Sequence, residues 1–100
     1  MEIEVASTKD LVPGKMIGIE KEGKSMLIAN VNGAYYAIGN LCTHMGCKIS
    51  DGLLNGEIVQ CPCHLSKFNV RTGAVVRGPA VSAEPAYILR VDGDKLLAGF

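Results

Sequence analysis

Short apolar runs separated by glycine-containing turns are the feature that most constrains how this chain can fold. Runs such as "KMIGIEK", "SMLIANV", "AYYAI" and "AYILRV" are rich in Val, Ile, Leu and Tyr and have the length of β-strands. Between such runs stand Glu22-Gly23, Asn32-Gly33 and Asp92-Gly93; the Asn-Gly and Asp-Gly pairs suit the positive backbone angles of tight hairpin turns. The pattern predicts an antiparallel all-β fold.

The predicted strands leave one long connection that contains two prolines. Strands are predicted near residues 2–6, 15–21, 25–31, 34–38, 57–60, 67–70, 86–91 and 94–98. The segment "VVRGPAVSAEPAY" carries Pro79 and Pro85, each of which lacks a backbone donor. We therefore predict a stiff irregular segment, with its Pro-containing loop at about residues 77–85, which is suited to covering a site.

Length, charge and the first residues narrow the class of protein. A chain of 100 residues corresponds to a single domain, predicted here to span residues 1–100. Ten Lys and Arg balance ten Asp and Glu, so there is no basic excess to favour nucleic acid or an anionic membrane as partner. The start "MEIEVASTKD" lacks the basic flank and apolar run of a signal peptide, and no apolar stretch approaches membrane-spanning length. These features predict a soluble, cytoplasmic protein without a membrane span.

All four cysteines and both histidines fall in two short stretches, "LCTHMGC" and "QCPCHLSKF". Both stretches lie between predicted strands, on loops at about residues 41–50 and 61–66. The pattern is Cys-x-His, sixteen residues, then Cys-x-x-His. In a cytoplasmic protein such cysteines are more typical of metal ligands or redox groups than of a structural disulfide framework, and soft thiolates favour zinc, copper(I) or iron–sulfur chemistry.

This pattern resembles the Rieske family, in which a C-x-H loop and a C-x-x-H loop hold a 2Fe-2S cluster. The likeness extends through "YYAIGNLCTHMGC", "CPCHLSKFNVRTG" and the "GPA" of residues 78–80. The resemblance implies that Cys42 and Cys61 ligate one iron and that His44 and His64 ligate the other. It also implies a Rieske-like antiparallel β-sandwich or partial barrel, with a cluster-binding subdomain of two loops.

A structural zinc site is the alternative interpretation of the same four residues, because two Cys and two His are also a common tetrahedral zinc set. Zinc fingers usually place their cysteines in one close pair and their histidines in another. Here each loop contributes one residue of each type. The mixed order favours the Rieske interpretation over a zinc-bound or cluster-free module.

The two remaining cysteines, Cys47 and Cys63, match the extra cysteines of respiratory Rieske proteins, where a disulfide joins the two cluster loops. A bridge here would close about sixteen residues and stabilise the fold by about 3 kcal/mol in the chain-entropy model. Two small buried thiols, which a reducing cytoplasm favours, are the alternative. A reactive thiol at either position would instead suggest an enzyme.

Three residues after the second ligand His are candidates for tuning the cluster. The resemblance places Ser66 where high-potential members have a Ser that donates a hydrogen bond to a bridging sulfide. Phe68 stands where those members have a Tyr that donates to a ligand Cys, so the potential is expected to lie below theirs. Leu65 stands where many members have Gly, and either shields the cluster, contacts a partner or packs in the loop. Gly78 and Pro79 belong to the predicted covering loop.

The predicted function is one-electron transfer, and not catalysis by this chain itself. The resemblance implies a soluble Rieske-type ferredoxin whose partners are redox proteins, namely a reductase and an acceptor such as an oxygenase. A non-redox module or the small subunit of a reductase is the alternative. The sequence shows no Ser-His-Asp set and no phosphate loop. Four basic residues lie on or beside the cluster loops: Lys48, Lys67, Arg71 and Arg77. They are either ordinary surface charges, as on any soluble domain, or a rim that steers an acidic redox partner.

Overall fold

The fold consists of antiparallel strands in two sheets, seen in a computed structural model that describes residues 2–43, 46–63 and 65–99. The strands are β1 (Glu2–Ser7), β2 (Met16–Lys21), β3 (Lys24–Val31), β4 (Ala34–Gly39), β5 (Leu53–Asn55), β6 (Ile58–Gln60), β7 (Lys67–Asn69), β8 (Val75–Arg77), β9 (Ala86–Asp92) and β10 (Lys95–Gly99). Short 3₁₀ helices cover Thr8–Asp10 and Ile49–Asp51. The predicted antiparallel all-β fold is confirmed.

The larger sheet has six strands in the order β1-β10-β9-β4-β3-β2. Strands that follow each other along the chain pair as hairpins in this sheet, and two pairings join strands that are distant in the sequence. Strand β1 pairs with β10, and β4 meets β9 through Ala37 with Tyr87 and Ile38 with Ala86. The pairing of β4 with β9 joins the strands that precede the smaller sheet to the last hairpin of the chain. In the part of the chain that the structure describes, no helix is long and apolar enough to cross a membrane.

Strand β3 is buried on both faces, which explains its uninterrupted apolar run. Met26 and Ile28 point into one apolar cluster, and Leu27 and Ala29 point into another. Because successive side chains of a strand point to opposite faces, an all-apolar run is what a strand between two cores requires. The first cluster also contains Val5, Leu11, Ala37, Leu96 and Ala98; the second also contains Ile38, Cys42, Ile49, Val59, Cys61, Phe68, Val70 and Ala80.

Glycine-containing pairs close the predicted hairpins. Glu22 and Asn32 take positive φ angles of 52° and 54°, each followed by a glycine, as a two-residue turn with two positive φ angles requires. The third turn is shifted by one residue from the prediction. Asp92 pairs with Lys95 at the end of β9, so the turn consists of Gly93 and Asp94.

The smaller sheet has four strands in the order β5-β6-β7-β8. Its inner strands were predicted from the sequence, whereas β5 and β8 were not. Strand β8 corrects the prediction that the segment from Val75 onward is irregular. The prolines stand at 79 and 85, beyond the end of β8, so residues 75–77 keep their backbone donors and pair with β7. Residues 78–85 form no strand, as predicted.

Candidate metal centre

The first cysteine-containing loop follows β4 and is closed at its base by backbone hydrogen bonds. Leu41 bridges to Lys48 as an isolated antiparallel pair. The N–H of Cys42 donates to the carbonyl of Cys47 at 2.8 Å, and the N–H of Gly46 donates back to the carbonyl of Cys42 at 2.7 Å. The loop is therefore a compact unit anchored on the end of a sheet strand.

The second loop joins β6 to β7 and is closed in a similar way. The N–H of Cys61 donates to the carbonyl of Ser66 at 2.8 Å. Strands β6 and β7 pair through Val59 and Phe68, which are fully buried. Two paired strands thus hold the ends of this loop close together.

A disulfide between Cys47 and Cys63 joins the two loops, with their Cα atoms 6.5 Å apart. The predicted disulfide is confirmed, and the alternative of two thiols at these positions is wrong. A reactive thiol at Cys47 or Cys63 has no basis in this structure, since both sulfurs are engaged. The bridge makes the two loops one covalently linked unit.

The other two cysteines are buried thiols in one apolar cluster. Cys42 is 4% exposed and Cys61 is 1% exposed, and neither belongs to a disulfide. Two thiols of this kind on linked loops fit a soft metal or an iron–sulfur group, which binds thiolates and is shielded by apolar surroundings. The predicted partners of these thiols, His44 and His64, lie outside the described residues. Among the described residues, no set of three or more His, Cys, Asp or Glu side chains gathers as a metal site.

Residues 78–85 contact both cysteine-containing loops. The N–H of Ala80 donates to the hydroxyl of Ser66 at 3.0 Å, and the hydroxyl of Thr43 donates to the carbonyl of Ser82 at 2.6 Å. The segment begins with a cis Gly78–Pro79 peptide. It lies where a covering loop is expected, and the covering role of Gly78 and Pro79 stays a prediction.

Comparison with known proteins decides the family. The model of the Rieske [2Fe-2S] domain matches residues 1–92. The chain belongs to the Rieske family. Its cofactor is accordingly a Rieske-type 2Fe-2S cluster, and its class of function is electron transport as a component of a redox system, not catalysis on its own.

Relatives of this Rieske protein are ferredoxins of dioxygenase systems. It is 33% identical to the ferredoxin component of the naphthalene 1,2-dioxygenase system of Pseudomonas putida over 95 residues, which cover 95% of this chain and 91% of the relative. The ferredoxin of carbazole 1,9a-dioxygenase from Nocardioides aromaticivorans IC177 superposes with a TM-score of 0.92 at 32% identity, covering 98% and 96% of the two chains. A ferredoxin in a complex of reduced oxygenase and oxidized ferredoxin superposes with a TM-score of 0.91 at 26% identity, covering 97% and 91%.

The predicted tuning residues of the Rieske cluster occupy three different environments. Ser66 is fully buried, and its hydroxyl oxygen accepts from Ala80, so its proton is available to another acceptor. Phe68 is fully buried in the apolar cluster that contains the two thiols. Leu65 is 54% exposed and takes a positive φ of 65°. A residue with a Cβ is strained in this region, which explains why glycine suits the position. The tuning roles themselves stay predictions.

One of the four residues of the predicted basic rim, Arg71, pairs with an acidic residue of the same protein. Arg71 lies 3.6 Å from the carboxylate of Glu57 and stacks over the ring of Tyr36 at 5.7 Å. It is therefore engaged within the protein. Lys48 and Arg77 are exposed, and Lys67 is half-buried. The rim as a docking surface stays a prediction that rests on these three residues.

Sequence reasoning missed one residue beside the Rieske loops, Glu84. Its side chain is only 5% exposed, and its Oε2 has no hydrogen-bond partner among the described residues. Burial raises the pKa of this carboxyl to about 7, and a hydrogen bond from the backbone N–H of Thr43 partly opposes that rise. The sequence "SAEPAY" held no sign of this burial, because the contacts come from distant segments.

Proposed function

We propose that the protein carries single electrons through a 2Fe-2S cluster bound by Cys42 and Cys61 on one iron and by His44 and His64 on the other. The observation that carries this proposal is the pair of buried thiols on two loops joined by a disulfide. The order of residues along the chain supports the histidines, since each loop carries one at the spacing of the Rieske pattern. We also propose that residues 1–100 form a single Rieske 2Fe-2S domain.

The proposed partners are a reductase that supplies the electron and an oxygenase that accepts it. The names of the relatives support this choice, since they are ferredoxin components of dioxygenase systems and one structure is a complex with an oxygenase. We propose that the electron leaves through the edge that bears His44 and His64. The proposed compartment is the cytoplasm, a prediction from the sequence that cell fractionation checks.

The cluster supplies a site that accepts and releases one electron when it is bound, and the chain supplies its surroundings. The apolar cluster around Cys42 and Cys61 excludes water and so strengthens the effect of nearby charges and hydrogen bonds. Ser66 holds a proton that is available for a sulfur acceptor. Phe68 has no hydroxyl, so one donor of the high-potential proteins is missing and the potential is lower than theirs.

Metal analysis of the purified protein tests the proposal first. The expected result is two irons and two acid-labile sulfides per chain, with an anisotropic EPR signal of the mixed His and Cys type after dithionite reduction. Stoichiometric zinc, or no metal after anaerobic iron–sulfur reconstitution, would contradict the proposal and favour the zinc-bound or cluster-free alternative. This experiment identifies the group but not its individual ligands.

Substitution separates the ligand cysteines from the disulfide cysteines. Cys42→Ser and Cys61→Ser are expected to remove the cluster. The double variant Cys47→Ser/Cys63→Ser is the matched control, since it makes the same chemical change on the same two loops and is expected to retain two irons in freshly prepared protein. Nitrogen couplings in pulsed EPR that change in His44→Cys and in His64→Cys would support the histidine ligands. Unchanged couplings in both variants would exclude them.

A further inference from the structure

Glu84 lies at the point where three segments of the chain meet beside the first cluster loop. Its carboxylate accepts a hydrogen bond from the N–H of Thr43, the residue between the proposed ligands Cys42 and His44. Its own N–H donates to the carbonyl of Gly73 at 2.8 Å, which fixes its backbone to the turn between β7 and β8. Because the backbone of Glu84 is fixed at Gly73, its buried side chain can hold the first cluster loop in place through Thr43.

The carboxylate of Glu84 lies directly against the backbone of Gly39. A Cβ built on Gly39, at the end of β4, would lie 2.5 Å from Oε1 of Glu84 and 2.9 Å from the ring of Pro85. Gly39 is also bound to this segment through its N–H, which donates to the carbonyl of Pro85 at 2.8 Å. The absence of a side chain at Gly39 thus makes the space that Glu84 occupies.

No compensating charge accounts for this buried acid within the described residues. The contacts that the structure gives for Glu84 are with Gly39, Thr43 and Gly73, and none of these residues has an ionisable side chain. Burial of a carboxylate without a cationic partner is unfavourable for folding. An apolar side chain of similar length would fill the same space at lower cost, so packing alone does not explain an acid here.

We propose that Glu84 is a positioning residue of the electron-transfer site, which fixes the first cluster loop through Thr43 and lowers the reduction potential of the cluster. The physical reason is that a negative charge in surroundings of low polarity opposes the arrival of an electron nearby. The raised pKa of about 7 means that the charge is present in mildly alkaline solution. The inference rests on the proposed function, because it requires the cluster at Cys42 and Cys61.

Two substitutions separate the hydrogen bond from the charge. Glu84→Gln keeps an oxygen acceptor for Thr43 and nearly the same shape but carries no charge. Glu84→Met fills a similar length with neither acceptor nor charge. Glu4→Gln is the matched control, because Glu4 is an exposed acid on β1 in the larger sheet. The midpoint potential and the rate of cluster loss are measured for the iron-loaded protein at pH 8.5.

The expected result is a higher midpoint potential in Glu84→Gln with a rate of cluster loss like that of the unmodified protein. Glu84→Met is expected to share the higher potential and to lose its cluster several times faster, while Glu4→Gln changes neither quantity. Equal potentials in the unmodified protein and in whichever neutral variant retains its cluster would overturn the charge effect. Equal rates of cluster loss in all variants would overturn the positioning role.

These outcomes are distinct from a failure of the proposed function. If the unmodified protein shows no 2Fe-2S signal after reconstitution, the proposed function fails. If the unmodified protein shows the signal and the Glu84 variants match it in both measurements, only this inference fails.

Discussion

The hydroxyl oxygen of Ser66 accepts a hydrogen bond from the backbone N–H of Ala80 at 3.0 Å, and both residues are buried. This bond connects the second cluster loop to the proline-containing segment, while Thr43 connects the first loop to the same segment. A hydroxyl that accepts through its oxygen can still donate its proton in another direction. Ser66 is therefore suited both to hold the segment and to donate to the cluster.

Ser66→Ala is expected to lower the midpoint potential and to destabilise the protein by about 1–3 kcal/mol, the usual cost of a buried donor left without an acceptor. Spectroelectrochemistry and thermal unfolding measure the two effects. Ser25→Ala is the control, because the hydroxyl of Ser25 is buried without a hydrogen-bond partner among the described residues. A potential in Ser66→Ala equal to that of the control would show that Ser66 holds the segment only.

Leu65 is strained and exposed, so its side chain is expected to serve contact with a partner more than folding. Leu65→Gly is expected to stabilise the protein by up to about 1 kcal/mol, because glycine adopts positive φ without strain. It is also expected to raise the concentration of oxygenase needed for half-maximal electron transfer. Leu65→Ala, which keeps the strain, is expected to raise that concentration without stabilising the fold. A normal concentration in both variants would assign Leu65 to loop packing.

Loss of the disulfide is expected to destabilise the fold by about 3 kcal/mol, as estimated for a closed loop of about this size. The Cys47→Ser/Cys63→Ser protein is therefore expected to unfold at a lower temperature and to release iron faster. Loss of visible absorbance over time measures the release. A release rate equal to that of the unmodified protein would mean that the hydrogen bonds at the base of each loop suffice to hold the site.

The raised pKa of Glu84 predicts a particular dependence of stability on pH. The carboxyl titrates near its ordinary value of 4.5 when unfolded and at about 7 when folded, so the folded protein binds the proton more tightly. The resulting stabilisation is fully present below about pH 4.5 and is lost as pH rises through 7. Above that pH, Glu84→Gln is expected to be more stable than the unmodified protein by roughly 1–3 kcal/mol.

Thermal unfolding at pH 5 and pH 8.5 checks this expectation. The unfolding temperature of Glu84→Gln is expected to exceed that of the unmodified protein by more at pH 8.5 than at pH 5. Glu4→Gln serves as the control for loss of an exposed acid and is expected to show no such change with pH. The same difference at both pH values for Glu84→Gln would mean that its carboxyl titrates normally.

Patterns that depend on local chemistry were predictable from the sequence, and those that depend on distant contacts were not. The Asn32-Gly33 turn and the apolar run of β3 follow directly from backbone preference and burial. Strand β5 is only three residues long, too short for periodicity to show. Its last residue, Asn55, stands before Gly56, and this Asn-Gly pair was an available hairpin signal; Gly56 begins the turn with a positive φ of 63°. Strand β8 was missed because Pro79 and Pro85 suggested an irregular segment, although both prolines lie beyond the end of the strand.

The residues of the candidate site also separate into those that the sequence indicated and those that only the folded structure reveals. The Cys47–Cys63 disulfide was predictable because the resemblance to the Rieske family marks both positions. The ligand roles of Cys42 and Cys61 come from the same resemblance and stay predictions. Glu84 was not predictable, since its environment is set by Gly39, Thr43 and Gly73, which the fold brings together from three separate segments. Nothing in the residues beside Glu84 indicates burial.

The two-sided burial of β3 has a consequence for how this protein tolerates mutation. Met26 and Ile28 face the interior of the larger sheet, while Leu27 faces the cluster that contains the two thiols. A substitution on either side shifts the same short length of backbone, so a replacement accepted by one core must also suit the other. A library of random variants selected for electron transfer should therefore retain fewer changes in residues 26–29 than in any exposed strand, and the changes that survive there should occur in compensating pairs across the strand.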